Sequence, residues 1–139
     1  MLGILKRFTA PEPAPEYRDG LLGVLVSETD GEWCGEFAFR NYHVKVFLPG
    51  AKYHPSSTRV AFARSLLSGL EAKVESGLDF AARLNPSLWR GRLRFAALNL
   101  LGQTAGDAFA LDFVMVGERK GKFWQVRFEG GQPVHLEHR

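Results

Sequence analysis

The sequence predicts an α+β domain: a mostly antiparallel sheet of about six strands with one long, kinked or unkinked helix packed on one face. One segment, Ser56–Asn85, has sustained helical periodicity, and strand-like apolar runs lie on both sides of it. The joins between those runs are short and rich in glycine, which favours antiparallel neighbours. The predicted order is β-β-β-α-β-β-β, and one further short strand at the end is an open alternative.

A chain of 139 residues is long enough for one domain with a real hydrophobic core. We expect residues 1–16 to form an N-terminal tail and a proline-rich spacer, because Pro11, Pro13 and Pro15 favour an extended chain there. The first residues lack the hydrophobic core of a secretory signal. The globular α+β domain is therefore expected to span residues 17–139.

Three strands are predicted before the helix. Leu21–Ser27 is apolar on both faces, which suits a central strand or one covered by the helix. Trp33–Phe39 and Tyr42–Leu48 alternate between apolar and polar residues, as half-buried strands do. Only Arg40-Asn41 separates those two, and asparagine tolerates the left-handed backbone of a tight hairpin.

The central helix is predicted from an apolar stripe at steps of three and four residues, with Ser56 or Ser57 as its N-cap. Asn85 precedes a proline, which disfavours the α conformation and ends the helix. The segment Ser76–Asp79 has the form of a second capping box with a glycine inside it, so we expect a bend near Gly77. The stripe consists of Val60, Ala63, Leu67, Leu70 and Val74.

Four apolar runs follow the helix: Leu93–Leu101, Phe109–Val116, Phe123–Phe128 and the short Val134–Leu136. An acid, Asp112, lies inside the second of them. Strict alternation places Asp112 on the face opposite Phe109, Leu111, Phe113 and Met115. It is either an edge or outer-face residue, or a buried acid with a partner, for which Arg94 or Arg127 on a neighbouring strand is a candidate.

Composition gives few functional indications. Eighteen basic and fifteen acidic residues leave a formal charge of +3, which is too small an excess to predict nucleic-acid binding. The single cysteine, Cys34, excludes a disulfide within the chain and is consistent with a reducing compartment. No apolar run approaches the ~18 residues of a membrane span. We therefore expect a cytoplasmic protein with no membrane span.

The sequence contains no recognisable catalytic, metal or cofactor motif, so none of these is predicted and a non-enzymatic role is favoured. His135 and His138 are three apart, which puts them on opposite faces of a strand, and His43 and His54 have no ligands at zinc-like spacing. Cys34 has no neighbouring base of the kind that activates a nucleophile. The hydroxyls near Ser56 are explained by helix capping.

Two segments mix cations with aromatic side chains, an arrangement that stacking on single-stranded nucleic acid would use. Solvated charges at a strand entry and a hairpin turn are the favoured interpretation. The even overall charge disfavours nucleic acid as a partner. If the protein has a partner surface, we expect it at these residues: Trp89, Arg90, Arg92, Arg119, Lys120, Lys122 and Trp124.

The run Leu22–Leu25, then Trp33, then the long helix, and a closing segment Trp124–Pro133 resemble small bacterial single-domain α+β proteins classed as domains of unknown function. The resemblance covers most of residues 17–139. Some similar proteins look like immunity proteins, which implies binding of another protein, or self-association, rather than catalysis. The alternatives are a small-ligand or enzymatic domain with a pocket between sheet and helix, and a weak binder of single-stranded nucleic acid.

Overall fold

The computed structural model describes residues 13–88, 90–102, 106–118 and 121–139, with Arg90 described in its backbone only. It confirms an α+β architecture in which one long helical segment packs against a sheet. The sheet has eight strands that lie side by side in the order of the chain. They are β1 (Glu16–Asp19), β2 (Gly23–Thr29), β3 (Glu32–Phe39), β4 (Tyr42–Pro49), β5 (Leu93–Asn99), β6 (Phe109–Met115), β7 (Trp124–Glu129) and β8 (Gln132–His138).

The prediction of a mostly antiparallel sheet of about six strands was wrong in the number of strands and did not include a parallel pair. The sheet is mixed: β4 and β5 are parallel, with Lys45 opposite Ala97 and Phe47 opposite Asn99, whereas the other neighbours are antiparallel. The helix lies between β4 and β5 in the chain. A connection of that length carries the chain back to the end where β4 began, so the strand that follows runs parallel to it.

The sequence prediction omitted β1 and shortened β8. The strand β1 has the sequence EYRD, which has no apolar alternation, and it forms only through its pairing with β2. The strand β8 runs beyond Val134–Leu136 because it pairs along β7 from Gln132 to His138. Both are edge strands, and edge strands carry a weak hydrophobic signal because much of each remains in water.

The helical segment consists of α1 (Ser57–Leu66), a 3-10 turn (Leu67–Gly69) and α2 (Leu70–Leu84). Ser56 is the N-cap, as predicted, and its hydroxyl accepts a hydrogen bond from the Arg59 N–H at 3.4 Å. The interruption comes at Leu67–Gly69 and not near Gly77, so the predicted position of the bend was wrong.

Gly77 lies inside α2, against the sheet. A Cβ at this position would lie 3.2 Å from Cζ of Phe113 and 3.5 Å from Cζ of Phe128. Its glycine therefore allows the helix to approach the aromatic rings of the sheet, and it does not break the helix.

The core fills the space between the helical segment and the sheet. The helix supplies its predicted stripe, of which Val60, Ala63, Leu70 and Val74 are buried. The rings of Phe109 and Phe128 stack with their centroids 4.7 Å apart. Aromatic and aliphatic side chains of the sheet complete this layer: Trp33, Phe37, Phe39, Val46, Leu48, Phe95, Leu98, Leu111, Phe113 and Val126.

An ion pair joins the helix to the turn between β1 and β2. Asp19 is buried, its carboxylate accepts hydrogen bonds from the backbone N–H groups of Leu21 and Leu22, and Arg64 on α1 donates to it. Burial alone would raise the pKa of Asp19. The hydrogen bonds from Arg64 and the two amides outweigh that effect, so its pKa lies below the ordinary value of 3.8.

The predicted boundaries are only partly covered by the structure. Residues 1–12 of the predicted tail lie outside the described residues, and the ordered pairing begins where the Pro15 carbonyl accepts from the Ser27 N–H at 3.0 Å. Within the described ranges, no helix is both long and apolar enough to cross a lipid bilayer.

Candidate binding site on the open sheet face

The sheet has one face against the helical segment and one open face. On β6, Phe109, Leu111 and Phe113 point into the core, so the alternation of a strand puts Asp112 and Val114 on the open face. The prediction of the face on which Asp112 lies is confirmed. It is not an edge residue, because β6 is the sixth of eight strands.

Asp112 is held by two amide side chains from the neighbouring strands. Gln125 Nε2 donates to Asp112 Oδ1 at 2.8 Å, and Asn99 Nδ2 donates to Asp112 Oδ2 at 3.2 Å. Asn99 is itself oriented, because its Oδ1 accepts from the Leu101 N–H at 2.9 Å. Asp112 is 6% exposed and Gln125 is 7% exposed. The carboxyl group is therefore both buried and fixed in position.

Burial raises the pKa of Asp112 above its ordinary value of 3.8, because the charged form loses its hydration. The hydrogen bonds from Gln125 and Asn99, and the positive charge of Arg139, oppose that shift without cancelling it. A buried carboxyl with a raised pKa beside a depression is a candidate for a functional group, because function often requires such a shift.

Two adjoining depressions lie on the open face around this network. One, of about 470 Å³, contains Asp112 and has mainly apolar walls that include Phe47, Val114 and Phe123. The second, of about 400 Å³, is mainly polar. Both are lined by Glu32, Asn99 and Leu101, and the polar one is completed by Gly102, Gln125, Arg127, His135, Glu137 and Arg139.

Most basic groups around the depressions already have acidic neighbours. Arg139 pairs with Glu137 at 3.1 Å and Arg127 with Glu129 at 3.6 Å. Lys45 lies directly across from Glu36 in the register of β3 and β4.

Neither predicted cationic partner of Asp112 pairs with it. Arg94 lies over the ring of Tyr42, 4.4 Å from its centroid, and Arg127 pairs with Glu129. Among the residues that the structure describes, Asp112 has no cation within ion-pair distance, and its hydrogen-bond partners are neutral amides.

The predicted partner surface is only partly described. Trp89, Arg119 and Lys120 lie outside the described residues, as does the side chain of Arg90. Arg92 and Lys122 are exposed. Trp124 is half-buried, and its ring stacks on His138 with the centroids 4.1 Å apart.

The described parts of the two predicted segments lie at one end of the sheet. The Val116 N–H, at the start of the β6–β7 connection, donates to the Arg92 carbonyl at 2.8 Å. The start of β5 and the start of the β6–β7 connection therefore meet at one end of the sheet, whereas Asp112 lies in the middle of β6.

Cysteine and histidine do not form a reactive group in the described residues. Cys34 is half-buried, and burial raises the pKa of its thiol, with a further increase from Glu28 and Glu36 that exceeds the opposing effect of Lys45. A thiol with a raised pKa is a poor nucleophile at neutral pH. Within the same residues, no group of three or more His, Cys, Asp or Glu is arranged to hold a metal ion.

Sequence reasoning singled out Asp112 but missed Asn99 and Gln125, which fix it. Amide side chains carry no charge and have no motif, so neither stands out in a strand. The available signal is positional: Asp112 is opposite Gln125 on β7 and opposite Ala97 on β5, two residues from Asn99, but that register is known only from the structure.

No protein-family profile matches the chain, and neither the curated proteins nor the solved structures give a significant match.

Proposed function

We propose that this protein acts by binding another polypeptide on the open face of its sheet, with the depression around Asp112 at the centre of the contact. The observation that carries the proposal is a buried carboxyl, fixed by two amides, at the floor of an apolar-walled depression on the face that the helix leaves uncovered. Contact sites commonly combine an apolar pocket with a few fixed polar groups.

The charges around the depressions favour a polypeptide as the ligand. Acids and bases alternate at close range: the lining includes Glu32, Asp112 and Glu137 as well as Lys45, Arg127 and Arg139. A partner of one sign would meet repulsion at half of these groups. A polypeptide surface carries both signs, and mixed complementarity of this kind selects a partner and fixes its orientation.

The position of the site separates this proposal from a pocket between sheet and helix. In the described part of the chain the space between them is filled by core side chains, whereas the depressions around Asp112 lie on the opposite face. The open face is also the broader surface, since strands from β3 to β8 contribute to its two depressions.

Site-specific photocrosslinking in cells that naturally produce the chain tests the proposal. Phe123 lines the apolar depression, so a photoreactive phenylalanine analogue in its place reports on the open face. The matched control carries the same analogue at Leu84, which is 60% exposed on α2. We expect a discrete crosslinked species from position 123 and none from position 84.

The mass of the crosslinked species identifies the partner. A species of twice the mass of the chain indicates self-association, and any other discrete mass indicates a different protein. Crosslinking that is equal at the two positions, or absent at position 123, would count against binding on the open face.

A second candidate function is weak binding of single-stranded nucleic acid at the end of the sheet. It is favoured by the meeting of the β5 start with the β6–β7 connection, where Arg92 and Lys122 are exposed. Salt-dependent binding of an oligonucleotide, weakened by Lys122→Ala, is the expected result. Binding that Lys122→Ala leaves unchanged would remove this candidate.

A further inference from the structure

We infer that the apolar depression around Asp112 is a receptor for one basic side chain of the partner, with arginine as the best fit. This inference rests on the proposed function, because it names the group that the open face would recognise. It follows from three features of the described residues around the depression: a buried acid without an ion-pair partner, further acceptor positions on that acid, and apolar walls that can contact an alkyl stem.

The first feature is the charge. An ionised carboxylate in a buried position is costly unless a cation accompanies it. Asp19, the other buried aspartate among the described residues, has Arg64 beside it. Within the described residues, the hydrogen-bond partners of Asp112 are neutral amides, and the positive charge of Arg139 acts on it without forming an ion pair. Glu32, in the same depression, accepts from the Thr29 hydroxyl at 3.1 Å and has no ion-pair partner among the described residues.

The second feature is the hydrogen-bonding capacity of Asp112. Its two oxygens have roughly four acceptor positions between them. Asn99 uses one position on Oδ2 and Gln125 uses one on Oδ1. In the described part of the chain no other donor uses the remaining position on each oxygen, and two such positions are the pattern that the two parallel N–H donors of a guanidinium group satisfy.

The third feature is the wall of the depression. Phe47, Val114 and Phe123 surround the approach to Asp112, and Ala96 and Ala97 supply small side chains beside them. An arginine buries its methylene stem along apolar surface while its head group makes polar contacts. Its guanidinium also stacks on aromatic rings, which a compact ammonium does less well.

The local balance of charge agrees with a cation as the ligand. The lining of the apolar depression has two acids, Glu32 and Asp112, and one base, Lys45. Lys45 lies across from an acid, Glu36, in the register of β3 and β4. The basic residues of the neighbouring depression, Arg127 and Arg139, are each paired with a glutamate.

The test uses two probes whose main difference is charge. N-acetyl-arginine amide and N-acetyl-citrulline amide have nearly the same shape, but citrulline has a neutral urea in place of the guanidinium. Each is titrated into the ¹⁵N-labelled full chain, and chemical shifts are followed for the side-chain amides of Asn99 and Gln125 and for the backbone of Ala97 and Asp112. We expect saturable shifts with the arginine probe and an affinity for the citrulline probe that is lower by about tenfold.

Two variants locate the effect. Asp112→Asn keeps the shape of the side chain and removes its charge, so we expect it to weaken binding of the arginine probe by about tenfold. Asp107→Asn makes the same change at an exposed position and is expected to have no effect. The comparison of the two probes on the unaltered chain does not depend on either variant folding.

Equal affinity for the two probes, or arginine binding that Asp112→Asn leaves intact, would overturn the inference. Spermidine serves as a third probe, and binding of spermidine at these resonances more tightly than the arginine probe would assign the site to a free polyamine instead of a partner side chain. Failure here is distinct from failure of the proposed function: a Phe123-position crosslink that persists in Asp112→Asn would leave partner binding standing and this receptor role refuted.

Discussion

The side chains on the two faces of β6 are stabilised in different ways. Its core side carries Phe109, Leu111 and Phe113, which lie against large apolar neighbours and bring no polar atom with them. Its open side carries Ala110 and Asp112, which are just as buried, but the acid has a hydrogen-bond network instead of a hydrophobic layer above it. The two sides are equally buried for different reasons. Apolar packing stabilises the core side, whereas burial of the acid on the open side requires that its hydrogen bonds be satisfied.

The largest expected contrast is between Leu111 and Val114, which are on the same strand but on opposite faces. Leu111 is fully buried in the core, so Leu111→Ala leaves a cavity and should lower the free energy of unfolding by about 2–5 kcal/mol. Val114 is half-buried on the open face, and Val114→Ala should cost about 1 kcal/mol. Urea denaturation measures both values.

That contrast would fail if Val114→Ala proved as costly as Leu111→Ala. Such a result would mean that the open face is packed as tightly as the core. The ratio of the two losses, more than either loss alone, is therefore the informative quantity, because both substitutions shorten an aliphatic side chain to alanine.

A second contrast concerns two glycines of the helical segment. A side chain at Gly77 would push against Phe113 and Phe128, so Gly77→Leu should lower the free energy of unfolding by about 1–3 kcal/mol. Gly69 has open space around its Cβ position and a negative φ of −112°, so Gly69→Leu should be neutral or slightly stabilising. Thermal unfolding of the two variants measures the difference; a loss at Gly69 equal to that at Gly77 would contradict the close helix–sheet approach.

The same pair of glycines shows how far sequence can predict this fold. The helix, its N-cap and most of its apolar stripe were predicted, because periodicity and capping are local properties. The position of the interruption was not. Ser76-Gly77 has the local form of a helix start, but the glycine is required by rings on β6 and β7 that are distant in sequence.

The hairpin between β3 and β4 illustrates the same limit. The turn was correctly placed at Arg40-Asn41, but the left-handed residue is Arg40, with φ of 56°, and not the asparagine. Arg40 also donates to Glu71 and Glu75 on α2, at 3.0 and 3.2 Å. Arg40 therefore adopts the left-handed conformation that local sequence preference assigns to Asn41, and it does so where it contacts a distant part of the chain.

The candidate site was predictable only in part for a related reason. Asp112 could be singled out from the sequence because a carboxylate interrupts an apolar strand, and the alternation of the strand predicted the face on which it lies. The two amides that hold Asp112 could not be predicted, since their contact with it depends on which strands are neighbours and on the register between them. The parallel pairing of β4 and β5, which brings Phe47 beside Asn99, was also outside what short-range patterns show.

The smallest expected effect compares the two buried aspartates through the pH dependence of stability. The pKa of Asp112 is raised in the folded state, so between pH 3.8 and that raised value the folded chain retains a proton that the unfolded chain releases. Stability from this group is therefore present at low pH and is lost as pH rises through the window, by at most about 1.4 kcal/mol per pH unit. Asp112→Asn should remove this loss.

Asp19 should act in the opposite direction. Its folded pKa is below 3.8, so its contribution is present above that pH and is lost as the pH falls through the folded value. Unfolding free energies of the unaltered chain, Asp112→Asn and Asp19→Asn, measured from pH 3 to 7, give two difference curves. The curve for Asp112 should fall with pH and the curve for Asp19 should rise; two curves of the same sign would mean that Asp112 has a counter-charge as Asp19 does, and that its depression has no need of a cation from a partner.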